Sequence, residues 1–122
     1  MRWSINSDKP VYLQLIEEIE LRIITGLYPL GEKLPSVRDL AEEAAVNPNT
    51  MQKAMAELER CGLVYSQRTT GRFITEDKEL VLSIKNGFAK EHIREYLTKM
   101  KKLGFSKQQA NTMLDEYEKE MD

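Results

Sequence analysis

The stretch 34–62 of the sequence constrains the fold most, because it contains two sets of helix start signals close together. Ser36 is a favoured N-cap residue, and Asp39 lies three residues later, where its carboxylate can reach the free amides of the first turn. Asn47 repeats the cap, and Pro48 follows at the first helical position, where no amide hydrogen is needed. The stretch therefore predicts two short helices joined by a tight turn.

The second of these helices, predicted from Asn47 to Cys61 after a first one over residues 36–45, has two chemically different faces. Apolar side chains at i, i+3, i+4 and i+7 form one stripe: Met51, Ala54, Met55 and Leu58. The side chains on the other side are polar or small: Asn49, Gln52, Lys53, Ala56 and Arg60. Such a slim, hydrogen-bonding face suits the edges of bases in the major groove of DNA, although a merely solvated helix face has the same composition.

A β-hairpin is predicted directly after these helices, with strands over residues 63–67 and 72–75. A hairpin that follows two tightly connected helices is the wing of a winged helix. Arg68 and Arg72 flank its turn, and no acidic residue lies between positions 60 and 76. These cations favour a contact with phosphates or with the minor groove over the alternative, an ordinary surface hairpin with solvated charges.

The N-terminal part predicts a short extended segment and a helix. Trp3 and Ile5 alternate with polar residues, which indicates an extended segment with inward-pointing side chains. The helix is predicted to start within residues 7–10, with Asp8 as its cap, and to continue through Thr25. Its broad apolar side comprises Tyr12, Leu15, Ile16, Ile19, Ile23 and Ile24, and its charged residues are expected to face water, namely Glu17, Glu18, Glu20 and Arg22.

Residues 76–122 predict a helical tail, separate from a first domain over residues 1–75. One helix is expected to extend to about Leu103 with a bend at Gly87, and Ser106 begins a second helix with a capping-box pattern. A hairpin of two helices cannot bury two apolar seams within itself, so a second copy of the chain is expected to cover them. The residues expected at this homodimer interface are Val81, Ile84, Phe88, Ile93, Tyr96, Met100, Met113, Leu114 and Tyr117.

The composition limits the candidate functions. The 122 residues are 41% hydrophobic and 31% charged, with no apolar run long enough to cross a membrane and no apolar signal core at the N-terminus. A cytoplasmic protein without membrane contact is therefore expected. The net charge is −2, so binding to DNA must depend on the local placement of cations. The single cysteine, Cys61, excludes an intramolecular disulfide, and its position at the end of the apolar stripe predicts a packing role.

The sequence provides no catalytic or metal-binding set. His92 is the only histidine, whereas zinc sites require three or four ligands. No glycine-rich phosphate loop follows a predicted strand, and no paired carboxylates mark a cleft. We therefore expect no enzymatic activity, no metal and no cofactor, and a surface position for His92.

Several motifs occur together, in an order and at separations that are specific to one family: Pro10-Val11-Tyr12 with Gln14, Gly31, Leu34-Pro35-Ser36-Val37-Arg38-Asp39-Leu40-Ala41, Val46-Asn47-Pro48-Asn49-Thr50, Gly71 and Phe73-Ile74. With these motifs, residues 1–75 resemble the DNA-binding domain of GntR-type bacterial transcription regulators, and the short tail resembles the YtrA-type branch. The resemblance implies a mainly α fold with a small β-hairpin, in which a winged helix-turn-helix domain precedes an α-helical hairpin for dimerisation. It also implies no large effector-binding domain, and whether a small-molecule effector binds is left open.

The resemblance further implies which side chains contact DNA. Arg38 matches an arginine of the second helix that contacts DNA, although a pair with Glu42 is an alternative. Ser36 matches the cap near the phosphates, and Gly71 matches the glycine of the wing tip. The start of the recognition helix is matched by Asn47, Asn49, Thr50, Gln52 and Lys53, and the wing adds Arg68, Thr70 and Arg72.

Two departures from the family pattern affect these expectations. Many GntR relatives have arginines at the positions of Pro48 and Gln52, so the base preference of those relatives does not transfer to this chain. The wing of relatives has a second glycine at the position of Thr69, which bears on how far the wing reaches into the minor groove.

The function implied by the resemblance is sequence-specific binding of double-stranded DNA for transcriptional regulation. A repressor is expected, bound as a homodimer to a palindromic or pseudo-palindromic operator. YtrA-type relatives control transporter genes, which extends the expectation to such targets. The alternative function is a winged-helix protein-interaction module without specific DNA binding.

Overall fold

The structure, a computed structural model, describes residues 3–121 and has five helices and one two-stranded hairpin in that range. The mainly α fold with a small β-hairpin is therefore confirmed. In chain order the elements are α1 (Val11–Ile24), α2 (Val37–Ala44), α3 (Pro48–Arg60), β1 (Val64–Gln67), β2 (Gly71–Ile74), α4 (Lys78–Lys102) and α5 (Lys107–Met121).

The contacts divide the chain into two compact units, residues 1–85 and residues 86–122. The division lies within α4, later than the predicted domain boundary after residue 75. The reason is that Leu80, Val81 and Ile84 are partly buried and pack against the core of the first unit. The first turns of α4 therefore belong to the first unit, residues 1–85.

The core of residues 1–85 is built from the apolar sides of α1, α2 and α3 and closed by the hairpin. The predicted stripe of α3 is confirmed, since Met51, Ala54, Met55 and Leu58 are all fully buried. Each large aliphatic side chain removed from water contributes roughly 1.5–3 kcal/mol to folding. Burial of this stripe directs the opposite face of α3 outward.

The two helix starts predicted around Ser36 and Asn47 are confirmed. The Asp39 amide donates to the Ser36 hydroxyl oxygen over 3.1 Å, and the Asn49 amide donates to the Asn47 side-chain oxygen over 2.7 Å. Between the two helices Ala45 adopts a left-handed conformation with φ of 56°. These caps and this turn set the directions in which α2 and α3 begin.

The hairpin pairs β1 with β2 in antiparallel register, from Val64 opposite Ile74 to Gln67 opposite Gly71. The far edge of β2 is also occupied, because residues 32–34 lie along it. The Leu34 amide donates to the Arg72 carbonyl over 2.9 Å, and the Ile74 amide donates to the Glu32 carbonyl over 2.9 Å. The wing is thus attached to the segment that leads directly into α2.

The start of α1 differs from the prediction. Pro10 occupies the N-cap position without a side-chain cap, so the prediction of Asp8 as the cap was wrong. The Gln14 side chain instead fastens the preceding segment, since its nitrogen donates to the carbonyls of Asn6 and Lys9 over 2.8 Å and its oxygen accepts from the Asn6 amide over 2.9 Å. The contacts of Gln14 therefore hold residues 6–9 against the first turn of α1.

Arg22 was predicted to face water and is instead 1% exposed. Its guanidinium donates to Glu18 Oε2 over 3.0 Å, to the Tyr28 hydroxyl over 2.8 Å and to Glu43 Oε1 over 3.1 Å. The guanidinium carbon also lies 4.1 Å from the centroid of the Trp3 ring. Burial is tolerated because carboxylates and aromatic faces replace water around the charge.

Cys61 is exposed, so the prediction that it packs in the core was wrong. It occupies the C-cap of α3, and its thiol donates to the Leu58 carbonyl over 3.3 Å. The apolar stripe ends one turn earlier, at Leu58.

Residues 86–122 comprise most of α4 and all of α5. The predicted capping box is confirmed, since the Gln109 amide donates to the Ser106 hydroxyl over 3.1 Å and the Ser106 amide donates to Gln109 Oε1 over 2.9 Å. At Gly87, where a bend was predicted, α4 continues without interruption. Across residues 3–121, no helix combines the length and the apolar character that crossing a membrane requires.

Candidate nucleic-acid interface

The outward face of α3 is available to a ligand along its whole length. Asn49, Gln52, Lys53, Ala56 and Arg60 are exposed, and Thr50 is half-buried. The Asn47 side-chain oxygen accepts the hydrogen bond of the cap, and its amide nitrogen can still donate to a further partner. Near its N-terminus the face therefore presents neutral amides together with one lysine.

The two cations on this face have different partners. Lys53 Nζ lies 3.8 Å from the centroid of the Tyr12 ring, which comes from α1. Arg60 instead donates to both oxygens of Glu57, with distances of 2.9–3.2 Å. The charge of Arg60 is thereby compensated at the C-terminal end of α3, whereas the charge of Lys53 is not offset by a carboxylate at this contact.

A groove of about 700 Å³ separates the start of α2 from the wing tip. It is lined by residues of both segments: Lys33, Leu34, Pro35, Ser36, Val37, Arg38, Asp39, Thr69, Thr70, Gly71 and Arg72. Three of these side chains are cations and one, Asp39, is a carboxylate. Five residues predicted for DNA binding from two separate stretches, Ser36, Arg38, Thr70, Gly71 and Arg72, are thus brought to one groove.

Lys33 belongs to this groove but was not predicted as a site residue. Its backbone forms an isolated antiparallel β-bridge with Phe73. Its side-chain Cε would lie only 2.9 Å from a Cβ added at Gly71. Gly71 has φ of 118°, so both its backbone conformation and the lysine stem favour glycine there. Lys33 was missed because residues 32–34 reach the wing by pairing with β2, and no local pattern in the sequence indicates that pairing.

Arg38 is exposed and makes no ion pair within the described part of the chain. The alternative pair with Glu42 is not formed. The Ser36 hydroxyl beside it already accepts a hydrogen bond from Asp39 and can still donate its own proton. The start of α2 therefore offers one unpaired guanidinium and one hydroxyl donor.

The turn of the wing is held by its own contacts. The Thr70 hydroxyl lies 3.3 Å from Gln67 Oε1, and Arg68 is exposed without an ion pair in residues 3–121. Thr69 has φ of 67°, a left-handed conformation that a β-branched residue rarely adopts. Thr69 thus adopts a conformation that favours glycine, at the position where the resemblance implied a second glycine.

Arg72 was predicted as a cation at the wing tip, but the structure pairs it with α3. Its Nε lies 2.5 Å from Glu59 Oε1, and its side chain is 22% exposed. The Ser66 hydroxyl donates to the same oxygen. The Ser66 and Arg72 hydrogen bonds together hold the pKa of the Glu59 carboxyl below its ordinary value. Glu59 lies just outside the acid-free window of the sequence, so this partner was missed.

The residues predicted for dimerisation lie in different environments. Val81 and Ile84 pack against the core of residues 1–85, whereas Phe88, Tyr96 and Met100 are half-buried. The remaining four are 46–56% exposed: Ile93, Met113, Leu114 and Tyr117. Ala110, on the same stripe of α5, is fully buried, and its carbonyl accepts a hydrogen bond from the Tyr96 hydroxyl over 3.1 Å.

No group of three or more potential metal ligands occurs among residues 3–121. His92 is exposed on α4, as predicted.

Comparison with known proteins gives consistent results. Residues 11–74 match the family described as bacterial regulatory proteins, gntR family. The chain is 40% identical over 106 residues to the HTH-type transcriptional regulator YhcF of Bacillus subtilis, covering 87% of this chain and 88% of that protein. It is 37% identical over 92 residues to the HTH-type transcriptional repressor YtrA of Bacillus subtilis, covering 75% and 71% of the two chains.

Solved structures extend the comparison to the fold and to DNA. A GntR family transcriptional regulator from Listeria monocytogenes superimposes with a TM-score of 0.85 and 38% identity, covering 92% of this chain and 98% of that one. The DNA-binding domain of AraR in complex with operator ORE1 superimposes with a TM-score of 0.53 and 30% identity, covering 62% and 94% of the two chains.

Proposed function

The chain belongs to the gntR family of bacterial regulatory proteins, and we infer that this DNA-binding transcriptional regulator is a repressor that binds a paired operator as a homodimer. The name of YtrA as a repressor and the operator complex of AraR support this choice over a protein-interaction module. The observation that carries the proposal is the outward face of α3, together with the cationic groove formed by the start of α2 and the wing.

The face of α3 supplies the chemistry of base recognition. Asn49 and Gln52 are exposed, and each amide side chain offers one acceptor and two donors. An adenine in the major groove presents an acceptor beside a donor, and a bidentate amide matches that pair. We therefore assign specificity to neutral hydrogen bonds from the first two turns of α3.

The groove supplies contacts to the phosphate backbone. Arg38 is exposed and unpaired in the described chain and lines the groove together with Lys33. Arg68, at the neighbouring turn of the wing, is also exposed and unpaired among the described residues. Each cation that neutralises a phosphate adds affinity for any sequence and makes that affinity sensitive to salt. Backbone contacts of this kind orient the protein, and the α3 face then selects the sequence.

The homodimer is proposed from the apolar side chains of α4 and α5. Ile93, Leu114 and Tyr117 are each at least 50% exposed in a single chain. Burial of the exposed part of each such side chain against a second copy stabilises the dimer by roughly half of the 1.5–3 kcal/mol that full burial of a large residue contributes. A two-fold dimer places its recognition helices about 10 bp apart or at multiples of that spacing, on a palindromic site.

The test is selection of bound duplexes from a random pool, followed by titration of the selected sequence at several salt concentrations. We expect two inverted half-sites, and affinity for the selected duplex that falls steeply with salt. Recovery of no enriched sequence, or a binding constant that does not change with salt, would falsify the proposal.

A further inference from the structure

The contact between Lys53 and Tyr12 joins the proposed DNA-binding face to the first helix. Tyr12 is half-buried near the start of α1, and Lys53 is exposed on the outward side of α3. The Lys53 ammonium lies 3.8 Å from the centroid of the Tyr12 ring, well within the distance at which a cation is attracted to an aromatic face. One side chain of the core helix therefore restrains a cation of the recognition helix.

The carboxylate that could pair with Lys53 is engaged elsewhere. Glu57 lies one helical turn further along α3, at i+4 from Lys53, which is the less favourable of the two orders for a pair of lysine and glutamate on a helix. Arg60 donates to both of its oxygens, with distances of 2.9–3.2 Å. Glu57 still attracts Lys53 electrostatically, but the lysine forms no ion pair with it, and the direct contact of Nζ is with the Tyr12 ring.

The ring restrains the ammonium without consuming it. An ammonium group has three N–H donors, and an aromatic face occupies only one side of it. Lys53 Nζ makes no hydrogen bond or ion pair with another described residue. A phosphate oxygen can therefore approach the open side while the ring stays in place. Lysine has a flexible four-carbon stem, so restraint before binding reduces the entropy lost when a phosphate contact forms.

We propose that Tyr12 is a positioning residue for DNA binding, whose ring holds Lys53 in place to contact a backbone phosphate of the operator. This inference rests on the proposed function. Tyr12 itself contacts no base in this scheme and acts through the lysine. The consequence is that the effect of Tyr12 on affinity depends entirely on the presence of Lys53.

The test is a double-mutant cycle with Tyr12→Leu and Lys53→Met, with operator affinity measured at several salt concentrations. Lys53→Met should lower the slope of log binding constant against log salt by about one, because one phosphate contact is lost. Tyr12→Leu should weaken binding about two- to fivefold and leave that slope unchanged, since the charge remains. In the Lys53→Met background, Tyr12→Leu should have no further effect on affinity.

Tyr12→Phe is the matched control, because it keeps the aromatic face and removes only the hydroxyl. Wild-type affinity is expected for it. Tyr12→Phe with a progressively fluorinated ring weakens the attraction to the cation at nearly constant shape, so affinity should fall stepwise even where Tyr12→Leu fails to fold. Equal losses from Tyr12→Leu with and without Lys53, or tighter binding by Tyr12→Leu, would overturn the inference.

The outcomes separate this inference from the proposed function. If the unmodified chain selects no duplex, the proposed function fails. If it selects a duplex and Tyr12 and Lys53 contribute independently to its affinity, only the positioning role fails. A second cycle on thermal unfolding of the DNA-free protein reports whether the two side chains interact in solution.

Discussion

At the scale of single residues, Ala45 is one of two non-glycine residues with a positive φ among the described residues, the other being Thr69. Ala45 ends α2 with φ of 56°. A left-handed conformation costs an L-residue about 1–2 kcal/mol, and glycine loses about 0.5–1 kcal/mol more entropy on folding. We expect Ala45→Gly to raise the free energy of unfolding by about 0.5–1 kcal/mol, measured by urea denaturation.

The neighbouring Ala44→Gly is the matched control. Ala44 lies within α2 and is buried, so glycine there should lower the free energy of unfolding by about 1 kcal/mol. A loss of stability for both variants would contradict the role assigned to the turn.

The second prediction concerns Glu59, whose pKa is lowered by hydrogen bonds from Ser66 and Arg72. A carboxyl with a lowered folded pKa stabilises the fold fully above its unfolded value near 4.5 and loses that contribution as the pH falls through the folded pKa. Glu59→Gln should therefore cost about 1 kcal/mol at pH 7. The difference from wild type should shrink as the pH is lowered towards 3.

Urea denaturation at a series of pH values measures this difference. Glu42→Gln serves as the control, because that exposed carboxylate makes no ion pair in the described chain. A stability difference between wild type and Glu59→Gln that is constant from pH 7 to about pH 3 would count against the charge-assisted contact.

The sequence predicted individual residues well where their role depends on near neighbours. The caps Ser36 and Asn47 were found because each serves an amide two or three residues away. Arg22 and Arg72 were misplaced because each has a partner on another element, Glu43 for Arg22 and Glu59 for Arg72, although Arg22 also pairs with Glu18 of its own helix. An ion pair between distant elements leaves no periodic signal in either of them.

At the scale of elements, α3 carries the specificity of the proposed interface. Gln52 is exposed on its second turn and offers the bidentate amide suited to adenine. We expect Gln52→Ala to lower the discrimination between the selected operator and single-base variants at one position by about 1–3 kcal/mol. Competition binding with a panel of operator variants measures this discrimination.

Arg60→Gln is the control for this prediction. Arg60 lies on the same face near the end of α3, where it is paired with Glu57. Arg60→Gln should leave the order of preference among operator variants unchanged. An unaltered preference in Gln52→Ala would move the specificity to another part of α3.

Elements were easier to predict than their associations. The helices and both strands lie within a few residues of their predicted bounds, because hydrophobic periodicity and caps define them locally. The pairing of residues 32–34 with β2 was not predicted, and Lys33 was missed with it. That pairing depends on where the wing packs, which single-element patterns do not encode.

At the scale of the whole molecule, the family and the DNA-binding function followed from a resemblance that the order and spacing of several motifs carried, and the match over residues 11–74 confirms them.

The proposed homodimer predicts that Leu114→Asp, at a position that is 50% exposed, produces monomers without unfolding α5. Burial of a charge in the interface opposes association. Sedimentation equilibrium should show a dimer for wild type and a monomer for the variant.

Thr112→Asp is the control for the dimer, because Thr112 lies on α5 outside the apolar stripe and is exposed. The Thr112→Asp variant should remain dimeric. The interface would have to lie elsewhere if Leu114→Asp sedimented as a dimer.

The pairing of arginines with glutamates has a consequence for the protein inside a cell. Within residues 3–85, Arg22, Arg60 and Arg72 are each neutralised by a glutamate, whereas Arg38 and Arg68 form no ion pair. About 10⁶–10⁹ non-specific sites on chromosomal DNA compete with one operator for the protein. Binding to these sites depends mainly on phosphate contacts. Because three of these five arginines are paired with glutamates, they contribute less to such phosphate contacts, which weakens binding to arbitrary sequences. We expect few of its copies to be sequestered along the chromosome, so that a small copy number suffices to occupy the operator.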